Sequence, residues 1–592
     1  MSLDTEQQVD PDDGEDEPVV DAPPRHFGTG KGGVAPGVFY PGIIIVGVVV
    51  VLAISFPGTV NDVFGSALEG VVSSIGWAYT LVVAAFVIFS LWMGISRFGD
   101  IKLGKDDDEP QFSLMAWFAM LFAAGMGIGL VFWGTAEPLT FFSTPKPGVT
   151  GSPETLAQAA MSQTFLHWGL HAWGIYVVLG LSLAYAIHRK GRPVSIRWAL
   201  EPLFGDRVKG WLGDVIDTIA VLGTVFGIAT SLGLGVQQIS AGLVHLGVLE
   251  SAGNTLMVIL IVIITLLATA SVVSGVGKGI KWLSNTNLVM AAVFLVAVLV
   301  LGPTLFLLRD FVQSLGGYLF DVIPLTFHTT AFQGNAGVDW QKSWTIFYWG
   351  WWISWSPFVG VFIARISRGR TVREFVSGVL LVPTLVTFLW FSVLGGSAIA
   401  RQIGDGDLVP ESGEIISENV LFDFLGGLPM SSVLSVIAIL LVSIFFITSS
   451  DSGSLVIDML ASGGDPDPPT WSRVLWALTE GAVAIALLLA GGLGALQTGS
   501  TLTAIPVGIV MVFVCVATVR AFRAEHRVML SAERRARRDE LERQIGANVT
   551  QEHARHFHQH FGPQVDERIT HVIESGEPME PSRRRRRTKK RE

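Results

Sequence analysis

The chain has 592 residues, half of them hydrophobic and only 15% charged, with a formal net charge of −10 and a mean hydropathy of +0.52. A soluble protein of this length would fold as roughly four domains of ~150 residues and carry about 25% charged side chains, so the missing charge argues against a soluble multidomain enzyme. A single cysteine, Cys515, excludes disulfide frameworks and cysteine-based metal sites.

Residues 1–37 hold nine acidic side chains between Asp4 and Asp21 against Arg25 and Lys31. A secretory signal needs a basic start and an apolar core, so this segment reads as a disordered acidic cytoplasmic head. From residue 38 onward, apolar stretches of about 20 residues recur, long enough to cross ~30 Å of hydrocarbon. They predict twelve spans, at 38–56, 75–96, 112–136, 157–187, 209–242, 254–275, 286–308, 344–364, 374–400, 432–449, 471–493 and 501–521. Porin strands would be about ten residues with period-two alternation, so the fold class is an all-α integral membrane protein.

Lys and Arg in the short loops set the orientation. The second loop has Arg97, Lys102 and Lys105, the fourth runs from Arg189 to Arg207, the sixth has Lys278 and Lys281, and the eighth runs from Arg365 to Arg373. The odd loops hold little beyond Lys146 and Arg401. Even loops and both termini are therefore expected in the cytoplasm. Between spans seven and eight, residues 310–327 repeat apolar side chains at helical spacing but include Asp310, Asp321 and a proline, which suits an interfacial helix.

Three runs depart from membrane-helix routine. Span three contains Gly125-Met126-Gly127-Ile128-Gly129. Each interior glycine weakens a helix by about 1 kcal/mol relative to alanine. Small residues can serve close packing, yet packing motifs place them four apart. Spacing of two favours an unwound segment, tolerated at depth only beside a cavity, a ligand or other protein. Span eight carries Trp344, Tyr348, Trp349, Trp351, Trp352 and Trp355, beyond what an interfacial belt needs. Trp349, Trp352 and Trp355, at i, i+3 and i+6, are expected on one face. Span four adds Trp168, Trp173 and Tyr176. Indole faces are negative, and each stabilises a desolvated cation by about 0.5–2 kcal/mol. Quaternary ammonium is best served, because it has no hydrogen bonds to lose. Core and belt packing account for some of these rings. Span ten closes on Phe445-Phe446-Ile447-Thr448-Ser449-Ser450-Asp451, whose hydroxyls, with free carbonyls from a broken helix, would suit an alkali cation. Hydroxyls also bond routinely within membrane helices. Glu137 and Glu480 are scarce intramembrane carboxylates and, with His167 and His171, are candidates to relay protons.

After span twelve, the tail 522–592 carries Arg534, Arg535, Arg537 and Arg538 on a predicted helix and ends in a basic run at 583–591. The tail is near +5 by count, against about −7 for the head and −8 for the core. Beside an anionic leaflet each basic residue is worth about 1 kcal/mol, which makes lipid a simpler partner than nucleic acid.

These runs resemble the betaine/choline/carnitine transporter family, in its sodium-coupled compatible-solute branch. The resemblance rests on Gly-Met-Gly-Ile-Gly at 125–129, His-Trp-Gly-Leu-His-Ala-Trp at 167–173 and Trp-Gly-Trp-Trp-Ile-Ser-Trp-Ser-Pro-Phe at 349–358, and extends over about 38–525. It implies a LeuT-like core of two inverted five-helix repeats, 112–308 and 344–521, behind two peripheral helices in 38–111, with 309–343 as the interfacial connection and 522–592 as a regulatory tail. It further implies a homotrimer in the bacterial cytoplasmic membrane. The substrate box implied is Trp168, Trp173, Tyr176 and Trp352, with Trp355 and Gly127 facing a carboxylate and Trp349 and Trp351 along the permeation path. The implied sodium site is Ala123, Met126, Phe445, Thr448 and Ser449. A second comprises Thr224 and Phe358, where Ile228 stands in place of a further threonine and removes a hydroxyl. No cofactor is implied beyond sodium as coupling ion. The expected function is sodium-coupled uptake of glycine betaine or a similar zwitterion under osmotic regulation. The alternatives are a proton-coupled or exchange carrier for choline or carnitine, or a non-transporting sensor; Met126 favours sodium.

Overall fold

The computed structural model describes residues 33–125, 127–274 and 277–576. Most of the acidic head, Met126 and the terminal basic run lie outside them. Two compact units are distinguished, a core ending at Phe522 and a tail beginning at Arg523.

The helices in chain order are α1 (Pro36–Ser55), α2 (Pro57–Ile95), α3 (Leu114–Gly125), α4 (Ile128–Ser143), α5 (Pro153–Trp168), α6 (Leu170–Ala184), the single turn α7 (Glu201–Phe204), α8 (Trp211–His245) and α9 (Asn254–Ser274). They continue with α10 (Gly277–Leu301), α11 (Thr304–Thr326), α12 (Gly334–Gln341), α13 (Phe347–Arg365), α14 (Val372–Gly404), α15 (Ser417–Gly426), α16 (Ser431–Ala461), α17 (Thr470–His560) and α18 (Gly562–Ser575). Among the described residues, nine helices are long and apolar enough to cross a membrane, or ten if α3 and α4 form one span bent by 67°. The spans around residues 153–189 and α8 are interior ones, with their most apolar stretches largely buried, whereas those of α1, α9 and α10 are mostly uncovered. Central α13 packs on α6 and α8, and α16 packs on α8, α9 and α10.

Several predicted boundaries move for identifiable reasons. The expected first loop is helical: α2 begins at Pro57, where a proline at the first position is already shaped for a helix, directly after the non-helical Phe56. Span seven stops at Leu301 because Pro303 ends it, and the interfacial segment then starts at Thr304. Span ten does not end at 449, since α16 runs unbroken to Ala461. Within α17 the two expected apolar runs are separated by Gly491 and Gly492, the latter at φ 63° and ψ −146°, a conformation open essentially to glycine alone. The Trp-rich α13 is less apolar than the candidate spans, because indole, serine and proline lower its hydropathy.

On the side expected to be cytoplasmic, the stretch after α2 is strapped to the α13–α14 corner. Lys102 bridges Thr371, Leu103 N–H donates to the Arg370 carbonyl at 2.8 Å, and Gly369 N–H returns to Leu103 at 2.8 Å. Arg368 pairs with Asp108 at 2.9 Å, and that hydrogen bond holds the Asp108 carboxyl below the usual carboxylate range. Thr371 and Glu374 close a capping box on α14. Trp117 of α3 docks on the same corner: its Nε1 donates to Ser367 Oγ at 3.0 Å, and Arg370 lies 4.9 Å above its ring.

Arg197 and Asp217 form an enclosed ion pair, 4% and 0% exposed, with Ser195 Oγ and the Arg197 backbone N–H also donating to Asp217. Arg197 also meets the half-exposed Asp214 at 2.7 Å, but loss of Asp217 removes the buried counter-charge of its guanidinium. Asp217→Ala is expected to destabilise the fold by about 3–5 kcal/mol, seen as a lowered melting temperature of the detergent-purified protein. The double replacement Arg197→Met with Asp217→Leu should recover most of that loss.

Candidate functional site

The interruption between α3 and α4 lies beside a cavity of about 710 Å³. Gly127 is extended (φ −146°, ψ 179°), and the helix restarts at Ile128. Its lining includes exposed Ala119, Ala123 and Asn285 and the buried rings Trp168, Trp173, Tyr176 and Trp352. Gly129 lets α4 approach these rings, since a Cβ there would stand 3.1 Å from Trp168 and strike Trp351.

The rings meet mostly edge to face, so that several faces turn toward one space. Trp168 and Trp352 have centroids 5.0 Å apart at 71°, Tyr176 and Trp352 6.3 Å apart at 73°, and Trp173 and Tyr176 5.4 Å apart at 79°. Trp351 stacks behind Trp352 at 4.5 Å and 17° and meets Trp355 at 86°. Trp351, Trp355 and Phe358, at i, i+4 and i+7, all border the cavity beside Trp352. Trp349 does not share that face. It is buried away from the cavity and stacks on His171 at 5.3 Å, because six residues along a helix carry it about 120° from Trp355.

Across the cavity, α16 contributes Phe445, Thr448, Ser449 and Ser452, at i, i+3, i+4 and i+7 and so on one face. Thr448 Oγ1 donates to the Ile444 carbonyl at 2.9 Å, so the helix keeps its own acceptors occupied here. The opposite face carries Ser450, which donates to Glu480 Oε2 at 3.0 Å. Ala123 borders the same cavity as these hydroxyls; Thr224 does not. Its Oγ1 donates to Ala220 at 2.8 Å within buried α8, while Phe358 faces the cavity. Ile228 packs toward Gly453, beside Glu480.

Glu137 proves to be the centre of the polar network. Its Oε2 accepts from Trp168 Nε1 at 2.6 Å and Tyr348 Oη at 2.5 Å, and its Oε1 lies 2.7 Å from His167 Nδ1. His167 Nε2 meets Gln163 Nε2 and Thr345 Oγ1, each at 3.0 Å, and Gln163 Oε1 accepts from Lys146 at 3.0 Å. Trp352 Nε1 donates to the His167 carbonyl at 2.9 Å. The sequence exposes Glu137 as an unusual carboxylate but gives no sign of Gln163, Thr345 or Tyr348 as its associates. In the tail, Arg534, Arg535, Arg537 and Arg538 are exposed, and Arg538 pairs with Glu542 at 2.8 Å.

Comparison with known proteins places these features in context. The profile described as betaine/carnitine/choline family transporter matches residues 37–527. The glycine betaine transporter OpuD of Bacillus subtilis is 44% identical over 84% of this chain and 96% of its own length. Glycine betaine transporter 1 of Vibrio parahaemolyticus is 45% identical over 78% of this chain and 89% of its own. An uncharacterized transporter of Mycobacterium tuberculosis is 50% identical over 83% of both.

The two faces of α16 make a direct check of the cavity. In a Cys515→Ala background, Ser452→Cys should react with a small water-soluble thiol reagent. Ser450→Cys, buried against Glu480, should remain unlabelled; equal labelling of the two would contradict the assigned faces.

Proposed function

The chain belongs to the betaine/carnitine/choline transporter family, and is thus a multi-pass membrane transporter and not an enzyme; from that premise we propose that it takes up glycine betaine, or a similar zwitterionic compatible solute, by sodium-coupled alternating access. The observation that carries the reading is the box of Trp168, Trp173, Tyr176 and Trp352 on a cavity shared with a helix break and with the hydroxyls of α16. The rings hold the quaternary ammonium, and the extended backbone at Gly127 with Trp355 meets the carboxylate. The glycine betaine transporters among the relatives support this substrate class.

Sodium binds between the break and α16, at Ala123, Met126, Phe445, Thr448 and Ser449. It orders the unwound segment and so raises solute affinity, a reciprocal coupling between two ligands. One inward charge gains about 2.3 kcal/mol per 100 mV, enough to drive a net-neutral solute uphill. A second ion at Thr224 and Phe358 would lack the hydroxyl that Ile228 displaces, which favours one sodium per cycle. In this reading twelve spans form two inverted repeats behind two peripheral helices, and α3–α4 and α13 open the respective repeats, where a midplane site is expected. The carrier assembles as a homotrimer in the bacterial cytoplasmic membrane with both termini inside. Arg534, Arg535, Arg537 and Arg538 hold the tail to anionic lipid until internal salt screens them.

Replacing external sodium by potassium should reduce labelled-betaine uptake into proteoliposomes to background; unchanged uptake would sink the coupling. Trp352→Ala should raise the KM for betaine about 2- to 30-fold, the equivalent of one cation–π contact of roughly 0.5–2 kcal/mol. Deleting residues 527–592 should leave uptake active at low osmolality, and a truncated protein that still requires an osmotic upshift would count against tail control.

A further inference from the structure

The hydrogen bonds around Glu137 fix more than the positions of the rings. An ammonium has only hydrogens to offer, so Lys146 Nζ must donate to Gln163 Oε1, which orients that amide. Gln163 Nε2 then donates to His167 Nε2, which is left as an acceptor. A neutral imidazole with an accepting Nε2 carries its proton on Nδ1, and that proton points at Glu137 Oε1. On the other oxygen, the indole Nε1–H of Trp168 can only donate. Tyr348 Oη donates to the same oxygen as Trp168. The bonds along Lys146, Gln163 and His167 thus all run toward Glu137, and among the described residues each of its three partners can donate to it. This donor pattern suits an ionised carboxylate.

Glu137 is 0% exposed and does not border the cavity. It reaches the cavity through Trp168, whose ring is a wall of the box. An indole whose N–H is drawn toward an anion becomes richer in electrons over its face, which is the surface a cation meets. The carboxylate also adds a negative potential in a medium of low dielectric, where charge is felt over longer distances than in water. The cation on the same network, Lys146, is separated from Glu137 by the whole of Gln163 and His167.

We propose that Glu137 is a positioning and specificity-determining residue whose negative charge, delivered through Trp168, makes the box select a fixed positive charge in its ligand and not merely a trimethyl shape. This rests on the reading of the four rings as an ammonium box, and it adds the source of the box's charge preference.

The probe is a pair of ligands of the same shape. Glycine betaine and 3,3-dimethylbutyrate both place three methyl groups one carbon from a carboxylate, but the second has a carbon in place of the quaternary nitrogen. Binding of each to the full-length protein is measured by titration calorimetry, with competition against betaine uptake as a parallel readout. Wild type should prefer betaine. Glu137→Gln, which keeps the size and an accepting oxygen but removes the charge, should weaken betaine about tenfold and leave dimethylbutyrate within about twofold. A structural role alone would weaken both ligands together, and an unchanged ratio in Glu137→Gln overturns the proposal. Glu137→Asp retains the charge on a shorter arm, so both affinities should fall in parallel while the ratio stays within about twofold of wild type; loss of the ratio in this variant also overturns it, whether or not Glu137→Gln accumulates. Wild type that binds the two ligands equally would instead remove the ammonium box itself, an outcome distinct from either variant result.

Discussion

A carboxylate at membrane depth must be met by donors from the protein, because hydrocarbon offers none. Glu137 is met by three, from His167 and Trp168 at the end of α5 and from Tyr348 at the start of α13. One acidic group in α4 therefore determines how two other helices present their rings. The Trp352 bond to the His167 carbonyl closes the same triangle from the backbone side. The wall of the cavity is thus held by directional bonds, while the cavity lining itself stays largely apolar and aromatic.

That arrangement requires helices to come unusually close, and glycine supplies the room. Lipid tails are as apolar as leucine, so helices in a bilayer associate through close packing and not through the exclusion of water. A Cβ on Gly350 of α13 would stand 2.8 Å from the Thr501 backbone, and one on Gly227 of α8 would stand 3.3 Å from Trp355 N. The 66 glycines of the sequence are in these places points of contact between α13 and its neighbours. Tyr79, reaching from α2 to the Thr501 carbonyl at 2.7 Å, fastens a peripheral helix to the same region.

Much of this was legible in the sequence because hydropathy and glycine spacing are local signals. The apolar runs, the break at 125–129 and the clustering of tryptophan on two segments all follow from neighbours in the chain. What escaped is either three-dimensional or beyond what a window of residues can report. Glu137 and Tyr348 are 211 positions apart, and nothing in the neighbourhood of either announces the other. Trp349 lies off the face expected for it, because six residues along a helix rotate it about 120° from Trp355. Span ten runs past residue 449 for a different reason: Thr448 bonds back to the preceding turn and Ser450 to Glu480, and the helix stays whole through both. Proline, by contrast, acted where it stood, at Pro57 and Pro303.

The docking of Trp117 on the α13–α14 corner has a mechanical consequence. Along the described side chains of α3, only Trp117 and Leu121 are buried, so this half-helix resembles a door leaf with the α3–α4 break as its hinge and one indole as its latch. Such a leaf cannot swing by itself. Either the latch on Ser367 and Arg370 gives way, or the corner travels with it, and in the second case the first half of one broken span and the far end of α13 move as a single panel.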